Sequence, residues 1–206
     1  MAQCFDFPNI GYLIDEVPKD IFEVLQTEVL SMDSNSNPVN ADLAGNIENE
    51  ADLAVYRPML EPYILDLMTE YDKRFQYTRT IDCLTDHIPY SLNDLWVNFQ
   101  KKHEFNPVHN HAGVFSFVIW IKVPFVIEQE RQNPSGVNSN CNCSSNFQLL
   151  YTNSLGQISD VLFPVDKSWE GTIILFPNKM LHCVYPFFSS DEERISIAGN
   201  VLLKSQ

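Results

Sequence analysis

Basic residues are scarce in this chain of 206 residues. Lys and Arg number 13 against 27 Asp and Glu, which gives a formal net charge of −14 and a pI near 4.6. A surface this acidic repels phosphate backbones and anionic membrane surfaces. The longest basic run, Lys101-Lys102-His103, is short and is followed by an acidic residue. The composition therefore argues against nucleic-acid binding and against adsorption to a membrane.

Long apolar runs and an export signal are also missing. The longest apolar run, Val114 to Ile121, is interrupted by Ser116, whereas a membrane-spanning helix needs about 20 apolar residues. Met1 to Asn9 lacks the basic region and apolar core of a secretory signal. Five cysteines cannot all pair within one chain. These features predict a cytoplasmic protein with free thiols and no membrane segment.

The first third of the chain has the pattern of helices. Pro18 suits a first helical turn, and the apolar residues after it recur at helical spacing. A second helix is predicted to start near Pro58 or Pro62, with an apolar stripe that ends at Phe75. The polar stretch between the two, residues 31–50, predicts a loop.

Short β-rich runs separated by turn residues follow after about residue 90. Such strands predict an antiparallel sandwich or barrel, and the helices before them are expected on one of its faces. We therefore predict a single domain over residues 1–206, with a helical support region at 1–90 and a β core at 91–206. The predicted strands are Leu95–Gln100, Val114–Val123, Phe147–Thr152, Gly171–Phe176 and Arg194–Leu203.

A polar segment at residues 128–146 interrupts the predicted β core. It lies between two apolar strands and is too long for a tight hairpin turn. Two interpretations stay open at this point. The segment is either a disordered insertion or a mobile lid over the mouth of the barrel.

Three of the five histidines have a spacing that suits a metal site. His109 and His111 are two apart in an extended segment, so both side chains are expected on one face. Two imidazoles on one face attract a divalent metal. His182, which follows the apolar run at 171–177, is the natural third ligand. Surface or core histidines would also explain each of the three singly, so both interpretations stay open.

The last apolar run places a guanidinium beside a hydroxyl. Ile195 and Ile197 alternate with Arg194 and Ser196, and the second pair is expected to point into the barrel. Arginine offers a two-pronged donor to a carboxylate, and serine adds another donor. A buried arginine needs such a partner. The partner is either an Asp or Glu of this chain or a bound dicarboxylate.

These pieces, in this order, resemble the 2-oxoglutarate/Fe(II)-dependent oxygenase superfamily, and more narrowly its small members in marine bacteria and phages. The resemblance extends over residues 40–203 and includes an N-terminal element at 40–47. It implies a double-stranded β-helix, which is a jelly-roll or cupin-like fold, with Fe(II) and 2-oxoglutarate as cofactors. The matching motifs are Trp96-Val97-Asn98, His109-Asn110-His111-Ala112-Gly113, residues 171–177 with His182, and Arg194-Ile195-Ser196.

The resemblance assigns the metal to His109, His111 and His182, and the distal carboxylate of 2-oxoglutarate to Arg194 and Ser196. The common iron set of the superfamily is His-x-Asp or His-x-Glu with a distant His, so His111 replaces the carboxylate. In a second alignment, His111 is the first ligand and Gly113 takes the carboxylate position, as in iron halogenases and aspartyl hydroxylases. The first alignment is favoured because it gives His109 a role.

The resemblance also implies the reaction. A hydroxylase-type dioxygenase oxidises a substrate C–H bond while 2-oxoglutarate is decarboxylated to succinate. The substrate is a small molecule or a protein side chain, with Trp96, Asn98, Phe115 and Trp120 as predicted pocket walls. Two alternatives remain open: a cupin-like three-histidine enzyme that does not use 2-oxoglutarate, and a non-catalytic jelly-roll binding module.

Overall fold

The computed structural model describes residues 3, 9–33, 37–81, 89–134 and 136–204. Within these ranges the chain forms two antiparallel sheets and three α-helices. The helices are α1 (Lys19–Ser31), α2 (Arg57–Phe75) and α3 (Ile127–Glu130). The strands are β1 (Leu13–Glu16), β2 (Asn49–Asp52), β3 (Tyr90–Gln100), β4 (Asn106–His109), β5 (Phe115–Lys122), β6 (Phe147–Thr152), β7 (Ile158–Phe163), β8 (Thr172–Pro177), β9 (Leu181–Val184) and β10 (Arg194–Leu203).

The two sheets confirm the predicted double-stranded β-helix. The larger sheet has the order β1-β8-β5-β10-β3-β2, and the smaller sheet has the order β4-β9-β6-β7. From β3 onward the chain passes back and forth between the sheets, because β3, β5, β8 and β10 lie in one and β4, β6, β7 and β9 in the other. This alternation brings residues that are far apart in sequence to the space between the sheets.

The two long helices, α1 and α2, pack on the outer face of the larger sheet, as predicted. Leu25 of α1 and Ile64 of α2 are fully buried in one cluster with Phe117 and Ile119 of β5. Trp120 of β5 faces the other way, into a second apolar cluster between the sheets. Strand β5 is thus covered on both faces, which explains its almost uninterrupted apolar sequence. None of the described helices combines the length and apolar character needed to cross a membrane.

The predicted elements are present, and their bounds differ by small amounts. The two long helices begin next to the prolines that predicted them, with Pro18 at the N-cap of α1 and Pro58 in the first turn of α2. Two strands, β6 and β10, have the predicted bounds. The prediction of a loop throughout residues 31–50 was wrong at its end, where β2 pairs with β3. The predicted helical region at 1–90 also supplies β1 and β2 to the larger sheet.

The polar segment at 128–146 is anchored to the body of the protein at both ends. The carboxylate of Glu130 is buried and accepts hydrogen bonds from the backbone of Phe188 (2.9 Å) and Ser189 (2.7 Å). The hydroxyl of Ser145 is buried and donates to the carbonyl of Val165 at 3.0 Å. Both ends of the segment are therefore held by buried hydrogen bonds.

The three described cysteines carry free thiols. Cys141 and Cys143 lie with their sulfurs 3.2 Å apart without a bond, and Cys183 is buried. The thiol of Cys183 donates to the side chain of Gln148 at 3.1 Å. Cys4 and Cys83 fall outside the described residues, so the prediction of free thiols throughout the chain is confirmed for three positions.

A buried carboxyl group lies where β2 joins the larger sheet. Asn40 closes the loop before this strand, since its side-chain amide donates to the carbonyl of Ile47 (2.9 Å) and to Oε2 of Glu50 (3.2 Å). The side chain of Glu50 is shielded from water. Burial, together with repulsion from Glu104, raises the pKa of Glu50 to about 7.

The raised pKa predicts a pH-dependent loss of stability. Between pH 4.5 and 7 the folded state holds a proton on Glu50 that the unfolded state releases, so the free energy of unfolding falls as pH rises through this window. Glu50→Gln removes this dependence and should be more stable than wild type at pH 8 by about 2–3 kcal/mol. Urea denaturation of both proteins at pH 4.5 and pH 8 measures the effect. Equal pH dependence in the two proteins would contradict the buried, protonated state.

Candidate active site

The pairing of two short strands brings the predicted histidines together. His109 ends β4 and lies directly opposite His182 of β9 in the smaller sheet. His111 follows two residues after β4 ends. Their ligand nitrogens all lie within 4.8 Å of one another. The structure thus places the three residues in one cluster, although they come from segments about 70 residues apart.

Backbone carbonyls orient two of the three rings. Nδ1 of His109 lies 2.7 Å from the carbonyl of Pro107, and Nδ1 of His182 lies 3.1 Å from that of Met180. A proton on each Nδ1 leaves the Nε2 lone pair free for a metal. Nε2 of His182 is 3.2 Å from Nε2 of His111. Two imidazole nitrogens about 2.1 Å from one divalent ion, with an angle of about 90–110° between them, are about 3.0–3.4 Å apart, so this spacing fits a shared metal.

The histidines are uncharged at neutral pH. Burial lowers the pKa of His109. Burial and the neighbouring His109 lower the pKa of His111 to about 4. The pKa of His182 falls well below its usual value because the ring is buried and faces the other two. Neutral imidazole is the form that binds a metal, so the cluster needs no deprotonation before it can do so.

Asn178 clamps the loop that carries His111. Its backbone carbonyl accepts from the amide of His111 (3.0 Å), and its backbone amide donates to Val114 (3.0 Å). The side chain of Asn178, which is fully buried, donates to the carbonyl of Ala112. A Cβ atom at Gly113, where φ is +116°, would lie 2.6 Å from Nδ2 of Asn178. Both the positive φ and the close approach of the Asn178 side chain therefore require glycine at position 113.

Two cavities meet at the histidine cluster. The outer cavity has a volume of about 470 Å³ and the inner one about 50 Å³. Trp96, His109 and His111 line both cavities, and His182 lines the inner one. The inner cavity has a polar wall as well, made of Asn98, Gln100, Asn106, Ser116 and Ser196. Trp96 and Asn98 therefore lie where the sequence predicted pocket walls.

Two of the four predicted wall residues do not line either cavity. Phe115 faces the helices, with its ring 5.1 Å from that of Tyr71. It has the opposite strand parity to Ser116, which does face the barrel. Trp120 has the correct parity but lies farther along β5, where it packs 5.2 Å from the ring of Trp169. The prediction of Phe115 and Trp120 as wall residues was wrong for these reasons.

Arg194 lies on the inner face of β10, as its strand parity predicted, and is buried. Its Nε and Nη2 both donate to Oε1 of Gln100, at 3.0 and 2.7 Å. Nη2 also donates to the carbonyl of Tyr185 (2.9 Å), and Nη1 to that of Ser145 (2.6 Å). Gln100 lines the inner cavity, so the guanidinium is connected to that cavity through one amide side chain.

The hydrogen-bond acceptors of Arg194 are neutral oxygens. Among the described residues, no carboxylate oxygen lies within ion-pair distance of this guanidinium. Burial lowers its pKa to about 9, while the nearby charge of Glu130 acts in the opposite direction. The group therefore keeps its positive charge at neutral pH. The alternative of a salt bridge within the chain does not hold for this part of the structure.

The sequence did not single out the residues at the outer mouth. Val39, Leu43 and Ala44 line the outer cavity together with Arg57 and Asp94. The described residues of the 128–146 segment line neither histidine cavity. Residues 40–47 were noted only because they resemble an N-terminal element of the oxygenase group, not as part of a cavity. Arg57, at the start of α2, carried none.

Comparison with known proteins agrees with this geometry. The model of the family described as "Putative 2OG-Fe(II) oxygenase" matches residues 94–200, just over half of the chain. The matched region contains the three histidines, Arg194 and Ser196. A search of curated proteins gave no match.

Solved structures show that the fold is shared with proteins of low sequence identity. A prolyl-4-hydroxylase from Pseudomonas putida has 15% identity and a TM-score of 0.54, over 95% of this chain and 94% of that one. The alpha-ketoglutarate-dependent epimerase SnoN from nogalamycin biosynthesis has 13% identity and a TM-score of 0.56, over 93% and 76%. HygX from Streptomyces hygroscopicus, solved with nickel and 2-oxoglutarate, has 11% identity and a TM-score of 0.51, over 95% and 84%.

The fold, the three-histidine cluster and the family match agree with one another. The chain belongs to the 2OG-Fe(II) oxygenase family, and its cofactors are Fe(II) and 2-oxoglutarate.

Proposed function

We propose that the protein is an Fe(II)- and 2-oxoglutarate-dependent hydroxylase whose metal is held by His109, His111 and His182. One observation carries the proposal: three neutral imidazoles converge between an inner, polar cavity and a larger outer cavity. The inner cavity suits the cosubstrate, and the outer cavity suits a substrate. The metal would sit where the two meet.

The ligand set consists of imidazoles alone. Among the described residues, the cluster that could hold a metal contains no carboxylate. A three-imidazole site leaves the full 2+ charge of iron uncompensated by the protein, which favours an anionic cosubstrate. When bound, iron would supply dioxygen activation for C–H oxidation, with decarboxylation of 2-oxoglutarate to succinate and carbon dioxide supplying two electrons. The side chains orient the reactants around it.

Arg194 and Ser196 would hold the distal carboxylate of 2-oxoglutarate. In support, Arg194 is a buried cation whose hydrogen bonds all go to neutral acceptors, and a carboxylate is a stronger acceptor than an amide. Ser196 lines the inner cavity, where its hydroxyl accepts from Nδ2 of Asn98 at 3.4 Å and retains its own proton to donate. Because the inner cavity is small, the side chain of Gln100 would have to move away. The carboxylate of 2-oxoglutarate would then replace it as the hydrogen-bond acceptor of Arg194.

Anaerobic titration of the apoprotein with Fe(II) and 2-oxoglutarate tests this proposal. Chelated 2-oxoglutarate should give its weak visible charge-transfer band in wild type. His182→Ala should lose the band because it removes a metal ligand. Ser196→Ala should keep iron but require about 10- to 100-fold more 2-oxoglutarate, since one hydrogen bond to a charged group contributes about 1.5–3 kcal/mol. His103→Ala is the matched control, because that exposed ring makes an edge contact with Phe188 and is not part of the cluster.

Two results would overturn the proposal in different ways. Tight iron binding without the band would indicate a cupin-like three-histidine enzyme that does not use 2-oxoglutarate. Absence of iron binding would indicate a binding module on an oxygenase scaffold.

The clamp at Asn178 predicts a separate effect on metal affinity. Asn178→Ala keeps the backbone bonds to His111 and Val114 but removes the side-chain bond to Ala112, which loosens the loop of His111. Fe(II) affinity should therefore fall about 10- to 100-fold, as for other side chains that position metal ligands. Competition with a chelator measures the affinity, and urea denaturation shows that the variant is folded. Asn153→Ala is the matched control, since Asn153 caps the turn between β6 and β7 with bonds to Leu155 and Gln157. Wild-type iron affinity in folded Asn178→Ala would show that the clamp does not position His111.

A further inference from the structure

We infer that the outer cavity binds a small zwitterionic substrate, an amino acid with an apolar side chain, whose carboxylate pairs with Arg57 and whose ammonium group pairs with Asp94. The inference rests on the proposed function, because it places the substrate of the oxygenase against the proposed metal ligands. It adds the chemical class of that substrate and the residues that select it.

The outer cavity adjoins the histidine cluster directly. His109, His111 and Trp96 form part of its wall. Its volume of about 470 Å³ lies within the range of small-molecule sites, about 300–1,000 Å³. A molecule in this cavity therefore lies next to the proposed position of the metal.

Arg57 offers unused hydrogen-bond donors to this cavity. Its side chain is 34% exposed, and its Nε is buried with no hydrogen-bond partner in the described part of the chain. Arg57 forms a long ion pair with Asp52, whose Oδ1 lies 3.9 Å from Nη2, a distance too great for a hydrogen bond. A buried, unpaired donor on a charged group is costly. A carboxylate in the cavity would satisfy it in the two-pronged manner that arginine favours.

Asp94 provides a fixed negative charge in the same cavity. Its Oδ2 accepts from Nδ2 of Asn200 at 3.2 Å. Asn200 is itself held, because its Oδ1 accepts from the buried hydroxyl of Ser116 at 2.8 Å. An ionised carboxylate has about four lone-pair sites, so Asp94 keeps capacity for an ammonium group. The side chain is thus both immobilised and available.

The outer cavity contains both positive and negative side chains, and this combination selects the class of ligand. A simple anion would face Asp52 and Asp94, and a simple cation would leave the donors of Arg57 unpaired. A zwitterion offers a carboxylate to Arg57 and an ammonium group to Asp94. Residues inside a peptide have neither a free ammonium nor a free carboxylate, which favours a free amino acid over a protein substrate. The cavity also has apolar lining residues, Val39, Leu43, Leu95 and Trp96, which suit an apolar side chain.

Ligand-observed saturation-transfer NMR with the full-length protein tests the inference. The probes are the twenty common L-amino acids, each tried with and without Zn(II) and 2-oxoglutarate, and the N-acetyl and carboxamide derivatives of any that binds. At least one apolar amino acid should bind at millimolar concentration, and each derivative should bind at least 10-fold more weakly. Arg57→Gln should weaken the amino acid at least 10-fold while leaving the carboxamide unchanged. Arg131→Gln, which alters an exposed arginine outside the cavity, should bind as wild type does.

Three results would overturn the inference: no amino acid binds, the derivatives bind as tightly as the parent, or Arg57→Gln has no effect. The iron and 2-oxoglutarate titration separates this failure from failure of the proposed function. A normal charge-transfer band without amino-acid binding overturns the inference alone. Amino-acid binding without the band overturns the proposed function alone.

Discussion

The register between β4 and β9 is the constraint on which the site depends. These two short strands pair so that His109 lies opposite His182. Because side chains alternate along a strand, a slip of one residue would turn His182 away from the space between the sheets and bring Cys183 toward it. Cys183 instead bonds to Gln148 on the outer side. The pairing of β4 with β9 shifts its register between Asn106 and His109. Such an irregularity bends a strand locally and redirects its side chains, here toward the proposed metal position.

A buried polar network connects this register to the rest of the site. Asn178 holds the loop of His111, and its Oδ1 lies 3.1 Å from the hydroxyl oxygen of Ser116. Ser116 also lies 2.8 Å from Asn200, which donates to Asp94 in the outer cavity. Such networks are rigid when all members are satisfied. The loop that carries a proposed metal ligand and the Asp94 carboxylate of the outer cavity are thus connected through three side chains, those of Asn178, Ser116 and Asn200.

Much of the fold could be predicted because its main elements carry strong patterns. β5, β6, β8 and β10 are apolar or alternate cleanly, and the two helices start beside prolines. β4 and β9 were missed because each has four residues, too few for a periodic signal. β1 and β2 are equally short and carry acidic residues. The division into a helical support region and a β core within one domain stays a prediction.

The residues of the candidate site also divide into those that the sequence indicated and those that it did not. The histidines and the Arg-x-Ser pair could be found because their types and spacing are unusual, and strand parity correctly placed Arg194 and Ser196 on the inner face. Parity along a single strand could not reveal that Phe115 faces the helices, since both faces of β5 are apolar. Arg57 could not be found because its proposed role arises from its tertiary position in the wall of the outer cavity, which also contains Asp94 from a different element of the chain.

The most direct test of the account is a crystal structure of the anaerobic complex with Fe(II) and 2-oxoglutarate. The account predicts that the metal binds Nε2 of His109, His111 and His182, and that the distal carboxylate replaces Gln100 as the partner of Arg194 beside Ser196. A metal bound by His111 and His182 without His109, or a cosubstrate whose distal carboxylate lies away from Arg194, would contradict it.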